Sequence, residues 1–256
     1  MKKLIVIFTI ALTAATGLSA QVHKKIKNKK VLFVVTSHDK MGEIDRKTGL
    51  WLGEFTDPYY VLADAGIEIT IASPKGGQAP VDPFSLDSSF VTAGTKRYDS
   101  DKSLQAKLAK TAKLSTVKEK DFDAVFYPGG HGPIWDLAED KTSASLIQKF
   151  YTSDKLIAFV CHGPVALKNA VDKNGTPIVK GKKVTGFTNG EEDAVQLTKV
   201  VPFLTEDLLK SLGGKYEKAA DWAPNVVQDG LLITGQNPQS AQLVGEKLLE
   251  ALRKRH

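Results

Sequence analysis

The chain has 256 residues, of which 42% are hydrophobic and 25% charged, and it carries a net charge of +6. These are ordinary values for a globular protein, and the length fits one α/β domain. The single cysteine excludes an intramolecular disulfide, and lysines that are scattered apart from a cluster at residues 23–30 give no nucleic-acid motif.

Lys2 and Lys3 precede an apolar run at residues 4–18, and Leu-Ser-Ala-Gln follows. That pattern reads as a signal peptide over residues 1–20, cut after Ala20. The run is short for a membrane span, and no cysteine follows it to carry a lipid. The expectation is an exported protein, periplasmic or secreted, with no stable membrane anchor after cleavage. Residues 21–29 read as a solvated basic lead-in, and residues 30–256 as a single domain.

Residues 30–37 contain Val-Leu-Phe-Val-Val, a first buried strand. A charged loop runs to Thr48. Thr56-Asp57-Pro58 reads as a helix start, and Gly66 as its stop. Residues 67–72 are a second strand, and residues 73–88 a loop punctuated by Pro and Gly. Helical spacing recurs at residues 102–112. Residues 122–127 are a third buried strand, ending in Pro128-Gly129-Gly130-His131-Gly132. A helix carrying Ser143, Leu146, Ile147 and Phe150 comes next. Residues 156–160 form a central strand, fully apolar, ending at Cys161-His162-Gly163-Pro164. Short strands near 177–179, 183–187 and 231–234 and helices near 205–211 and 238–253 complete the pattern. Strands alternating with helices predict a doubly wound, mostly parallel sheet with helices on both faces, of flavodoxin-like type.

In such a sheet, loops after the carboxyl ends of strands meet in one crevice. They carry Glu54, Gly129 to Gly132, Cys161-His162, and Thr188-Asn189-Gly190-Glu191-Glu192. A cysteine on a sharp strand-to-helix turn is a nucleophile elbow, and a helix N-terminus above it favours thiolate. The plain alternative is a small buried hydrophobe. His162 can move protons if an acid fixes its tautomer, and need not touch the sulphur. Gly129, Gly130 and Gly132 allow backbone N–H groups close to a developing oxyanion. Each signal has a bland reading of its own. Glu54 alone reads as a surface carboxylate, the glycine run as a tight turn, and His131 as a helix cap. Glu191 and Glu192 alone read as acids that favour a helix N-terminus. A zinc site from His131, His162, Cys161 and Glu54 lacks any close metal-ligand spacing.

Taken together, several stretches carry a resemblance: Trp-Leu-Gly-Glu-Phe-Thr-Asp-Pro-Tyr-Tyr from Trp51, Ala-Ser-Pro-Lys-Gly-Gly from Ala72, Phe-Tyr-Pro-Gly-Gly-His-Gly from Phe126, Ala-Phe-Val-Cys-His-Gly-Pro from Ala158, Val-Thr-Gly-Phe-Thr-Asn from Val184, and Thr-Gly-Gln-Asn-Pro from Thr234. The chain resembles the ThiJ/PfpI superfamily, the parkinsonism-associated deglycase and class I glutamine amidotransferase-like group, in its branch of glyoxalase III enzymes and heat-inducible chaperones. The resemblance implies Cys161 as nucleophile, Glu54 as the carboxyl beside it, and His162 with Glu192 as its acidic partner, Glu191 lying next to it. It implies an oxyanion and substrate pocket at Gly129, Gly130 and His131, with backbone N–H groups of Gly130 and His162. It implies a homodimer and a glyoxalase III-like hydro-lyase, of D-lactate dehydratase type, turning a small aldehyde, methylglyoxal, into lactate with no cofactor and no metal, or a related deglycase. The alternatives of the same fold are a holdase chaperone or stress protein, and a cysteine redox sensor.

Overall fold

The computed structural model describes Ile26 and residues 28–255. The expected signal peptide, most of the basic lead-in and the terminal His256 lie outside the described residues. Ile26 is not merely solvated: it packs on the core and donates its N–H to Ala65 O at 2.8 Å.

The first half of the chain runs β1 (Lys30–Val34), α1 (Leu52–Asp64), β2 (Glu68–Ser73), α2 (Ala93–Ser100), α3 (Lys102–Ala109), β3 (Ala112–Lys113), β4 (Ala124–Tyr127) and α4 (Lys141–Thr152). The second half runs β5 (Leu156–Val160), β6 (Lys183–Val184), α5 (Asn189–Ala194), α6 (Thr205–Ser211), β7 (Lys215–Tyr216), β8 (Val226–Asp229), β9 (Leu232–Gly235) and α7 (Ala241–Arg253). Seven strands form one sheet in the order β3-β2-β1-β4-β5-β9-β8. All its pairs are parallel except β8 with β9. β6 and β7 form a small parallel pair of their own.

The alternation of side chains explains the layers. Along β1, Val31 and Phe33 face one cluster, and Leu32 and Val34 the other. Along β5, Ala158 and Val160 share the first face, and Ile157 and Phe159 the second. The first face is covered by α1 and α7, through Phe55, Tyr59, Leu62, Val244, Leu248 and Leu252. The second is covered by α4, through Leu146, Ile147 and Phe150. Burying each large apolar side chain stabilises the fold by about 1.5–3 kcal/mol. With both faces covered, the strands read as continuous apolar runs.

The chain winds outward from β1 through β2 to β3, then returns to build β4, β5 and β9 on the other side. The switch point lies between β1 and β4.

Several boundaries differ from the sequence reading. The first long helix starts at Leu52, so Glu54 lies in its first turn and Pro58 inside it. Trp51 provides no side-chain cap; Leu52 N–H is taken by Ser85 Oγ at 3.2 Å. The segment after Cys161 is a buried 3₁₀ stretch, Gly163–Leu167, rather than an α-helix. Ile178 and Val179 are buried without forming a strand. The strand expected at 183–187 stops at Val184, because Thr185 N–H turns to Thr234 Oγ1 and Phe187 N–H to Cys161 O.

Candidate active site

Cys161 follows directly on β5 with φ of +58°. For a residue with a side chain this is a strained, left-handed conformation, which persists only where the surroundings enforce it. They do so here. Cys161 N–H donates to Gly235 O at 3.0 Å, and Cys161 O accepts from Phe187 N–H at 2.9 Å. Gly163 permits the turn to pass: a Cβ there would lie 2.3 Å from Tyr127 O. The expected nucleophile elbow is therefore present in geometry.

His162 is fully buried beside it. Its Nδ1 lies 3.3 Å from Cys161 Sγ, a contact that the elbow left open. Its Nε2 lies 2.7 Å from Glu192 Oε2. Burial pushes the His162 pKa down, with the neighbouring His131 acting in the same direction. A neutral His162 donates Nε2–H to the carboxylate and leaves the Nδ1 lone pair facing the sulphur. Despite burial, which opposes ionisation, the two histidines hold Glu192 well below the usual carboxylate range.

Between the two candidate acids the geometry decides for Glu192. Glu191 points elsewhere: its Oε2 accepts from Thr188 N–H at 2.9 Å in a capping box. Its Oε1 accepts from Trp222 N–H, Gln236 Nε2 and Asn237 Nδ2, at 2.8, 3.1 and 2.7 Å. This network explains the Thr-Gly-Gln-Asn-Pro stretch from Thr234, which binds the loop after β9 to α5.

Glu54 is fully buried, not a surface carboxylate. Its Oε2 accepts from Gly129 N–H at 2.8 Å. Burial pushes its carboxyl up to about 8, against the stabilising effect of Cys161 and Gly129. The Cys161 thiol is also pushed well up, first by burial and then by the Glu54 charge, while the Gly130 N–H favours the thiolate. Two buried acids side by side do not both ionise readily. The expected helix-dipole assistance is thus outweighed, and the sulphur depends on a proton acceptor.

Gly130 lines the cleft beside Cys161, and Gly129 lies behind it against Glu54. A Cβ on Gly129 would lie 2.6 Å from Glu54 Oε2 and 2.8 Å from His162 N. Gly130 has φ of +87°. His131 occupies the N-cap position of the 3₁₀ turn Gly132–Ile134, but its side chain makes no cap; its Nε2–H donates to Glu192 Oε1 at 2.9 Å. Its ring centroid lies 4.2 Å from that of His162. One carboxylate thus accepts from two histidines, an arrangement that spacing in sequence did not reveal. Glu192, His131 and His162 also bring three possible metal-ligand atoms within 4.8 Å of one another. Cys161 and Glu54 are not in that group, so the four-residue zinc set is not the one assembled.

The sulphur opens to a narrow cleft of about 50 Å³, lined by Trp51, Phe84, Phe90, Phe187 and Trp222 among others. The sequence reading passed over these walls, because aromatics far apart in the chain carry no local signal.

Residues 29–251 match the DJ-1/PfpI family. Glyoxalase 3 of Candida albicans is 32% identical over 231 residues, covering 87% of this chain and 98% of that protein. The glutathione-independent glyoxalase HSP31 of Saccharomyces cerevisiae is 30% identical over 234 residues, covering 88% and 98%. Among solved structures, the Rapid Encystment Protein 24 KDa of Francisella tularensis is 41% identical, covers 88% of this chain and 99% of that one, and superposes with a TM-score of 0.84. Glyoxalase III of Candida albicans is 30% identical, covers 87% and 97%, and superposes at 0.81. An elbow cysteine, its histidine–glutamate pair and a buried glutamate therefore sit within a match that spans residues 29–251, and the chain belongs to the DJ-1/PfpI family.

Proposed function

We propose that the protein is a glutathione-independent glyoxalase of the glyoxalase III type, converting methylglyoxal to lactate through a covalent cysteine intermediate. The observation that carries this reading is the contact chain Glu192–His162–Cys161, with a neutral histidine nitrogen 3.3 Å from the sulphur. The names of the Candida and Saccharomyces relatives point to the same activity.

The chemistry follows from the parts. His162 Nδ1 takes the thiol proton as Sγ bonds the aldehyde carbon, and Glu192 stabilises the imidazolium. The aldehyde π electrons move to oxygen, toward the Gly130 N–H. His162 returns the proton to that oxygen, giving a hemithioacetal. A base then removes the hydrogen from the former aldehyde carbon, and the neighbouring ketone oxygen gains a proton, giving an enediol. Glu54 suits this transfer, because a carboxyl pushed up to about 8 gives and takes protons near neutral pH. Protonation of the second carbon and loss of a proton from the first oxygen yield a lactoyl thioester. Water then cleaves it, releasing lactate and regenerating the thiol.

The test is lactate formation from methylglyoxal without glutathione. Cys161→Ser is expected to lower kcat/KM by roughly a thousandfold or more, and Glu192→Gln by roughly a hundredfold through the lost tautomer control. A folded wild-type protein that produces no lactate contradicts the reading.

A further inference from the structure

The walls of the cleft are built for more than methylglyoxal. The space directly against Cys161 is small, about 50 Å³, room for a carbonyl group and little of the body behind it. The cleft continues into an outer mouth of about 470 Å³, where Phe84, Phe90 and Trp222 recur as lining residues. Phe84 and Trp222 are 47% and 37% exposed, large fractions for apolar rings beside a buried catalytic group.

Arg46 lines both the inner cleft and the outer mouth, and is the only Lys, Arg, Asp or Glu lining either. It is half-buried. Arg97 and Arg255 each pair with a carboxylate. Among the described residues Arg46 has no such partner; its guanidinium lies over the Phe84 ring, 5.3 Å from the centroid. A guanidinium fixed against an aromatic ring at a cleft mouth is a receptor for carboxylate or phosphate.

We infer that the cleft takes aldehydes whose substituent is an apolar or aromatic body ending in an anionic group, with the carbonyl at Cys161, the body between the aromatic walls and the anion on Arg46. This rests on the proposed addition of Cys161 to an aldehyde and names the substrate class for it. The addition balances without a co-reactant. The S–C bond forms, the carbonyl π bond breaks, and the thiol proton ends on the new hydroxyl.

The experiment reads binding rather than turnover. Full-length protein is treated with iodoacetamide, whose one thiol target is Cys161, in the presence of 4-carboxybenzaldehyde or the neutral 4-methylbenzaldehyde. The carboxylate probe is expected to protect at about tenfold lower concentration. In Arg46→Gln the two probes are expected to protect within about twofold of each other, and Arg46→Lys to retain part of the preference. The readout is a ratio within one variant, so partial misfolding does not mimic the result. Equal protection by the two probes in wild type, no protection by the carboxylate probe, or an unchanged preference in Arg46→Gln overturns the inference. Methylglyoxal turnover is measured on the same samples. Preference without turnover upholds the anion site and sinks the glyoxalase reading; turnover without preference does the reverse.

Discussion

Glu54 and Cys161 compete for one negative charge in a buried site, and folding leaves the Glu54 carboxyl at about 8. An unfolded glutamate titrates near its ordinary value of 4.5. Between these values the unfolded chain holds fewer protons, so Glu54 makes the protein less stable as pH rises from 4.5 to 8. Glu192 works in the opposite sense. Its depressed pKa contributes stability above 4.5 that is lost as pH falls below it. Glu54→Gln keeps an acceptor for Gly129 N–H and removes the buried charge. It is expected to raise stability at pH 8 by a few kcal/mol, roughly several degrees in melting temperature, with the gain shrinking toward pH 4.5. It is also expected to lower the apparent pKa of Cys161, seen as faster alkylation near pH 8. Loss of stability at pH 8, or a slower alkylation, contradicts the assigned electrostatics. The roles at this scale were partly legible in the sequence, because residue types and turn residues reveal an elbow. The choice of Glu192 over Glu191 was not: only the folded chain shows that Glu191 Oε1 is held by Trp222, Gln236 and Asn237.

Short elements hold this site, and their ends are set by partners far away in sequence. α5 is six residues long, too short to be stable alone, and it carries Glu192. Its anchor is Glu191, which accepts from four donors: Thr188 N, Trp222 N, Gln236 Nε2 and Asn237 Nδ2. Glu191→Ala leaves those donors without their acceptor and is expected to cost about 3–5 kcal/mol in denaturant unfolding. It should also lower kcat, since Glu192 moves with the helix; Glu191→Gln keeps an oxygen acceptor and should lose less. An unchanged midpoint would show that the network is not an anchor. The same dependence on distant partners explains the missed boundaries. α1 begins where Ser85 caps Leu52, 33 residues away, so the local Thr-Asp-Pro signal was misleading. α2 was missed because its capping box pairs Thr92 with Thr95 instead of the usual acidic partner. β8 was missed as a half-exposed edge strand, without the continuous apolar pattern of the parallel strands.

At the scale of the whole molecule, the strand order places the loops after β4 and β5 together, and thereby Gly129 to His131 beside Cys161. The buried strands and their alternation with helices were legible, because a sheet covered on both faces imposes apolar runs on the sequence. The aromatic cleft was not, because Trp51, Phe84, Phe90, Phe187 and Trp222 meet only after folding. The export signal at residues 1–20 is proposed on sequence alone. N-terminal sequencing of exported protein is expected to begin at Gln21; an intact Met1 in the purified cell-envelope fraction contradicts cleavage.

In the proposed reaction the carbon skeleton of the substrate passes through a thioester on Cys161. The most direct measurement is mass spectrometry of acid-quenched protein during methylglyoxal turnover. An adduct of methylglyoxal mass on the Cys161 peptide is expected to survive the quench, to disappear on treatment with hydroxylamine, and to be absent from Cys161→Ser. Lactate production with no quench-stable adduct on Cys161, or with undiminished rate in Cys161→Ser, would contradict it.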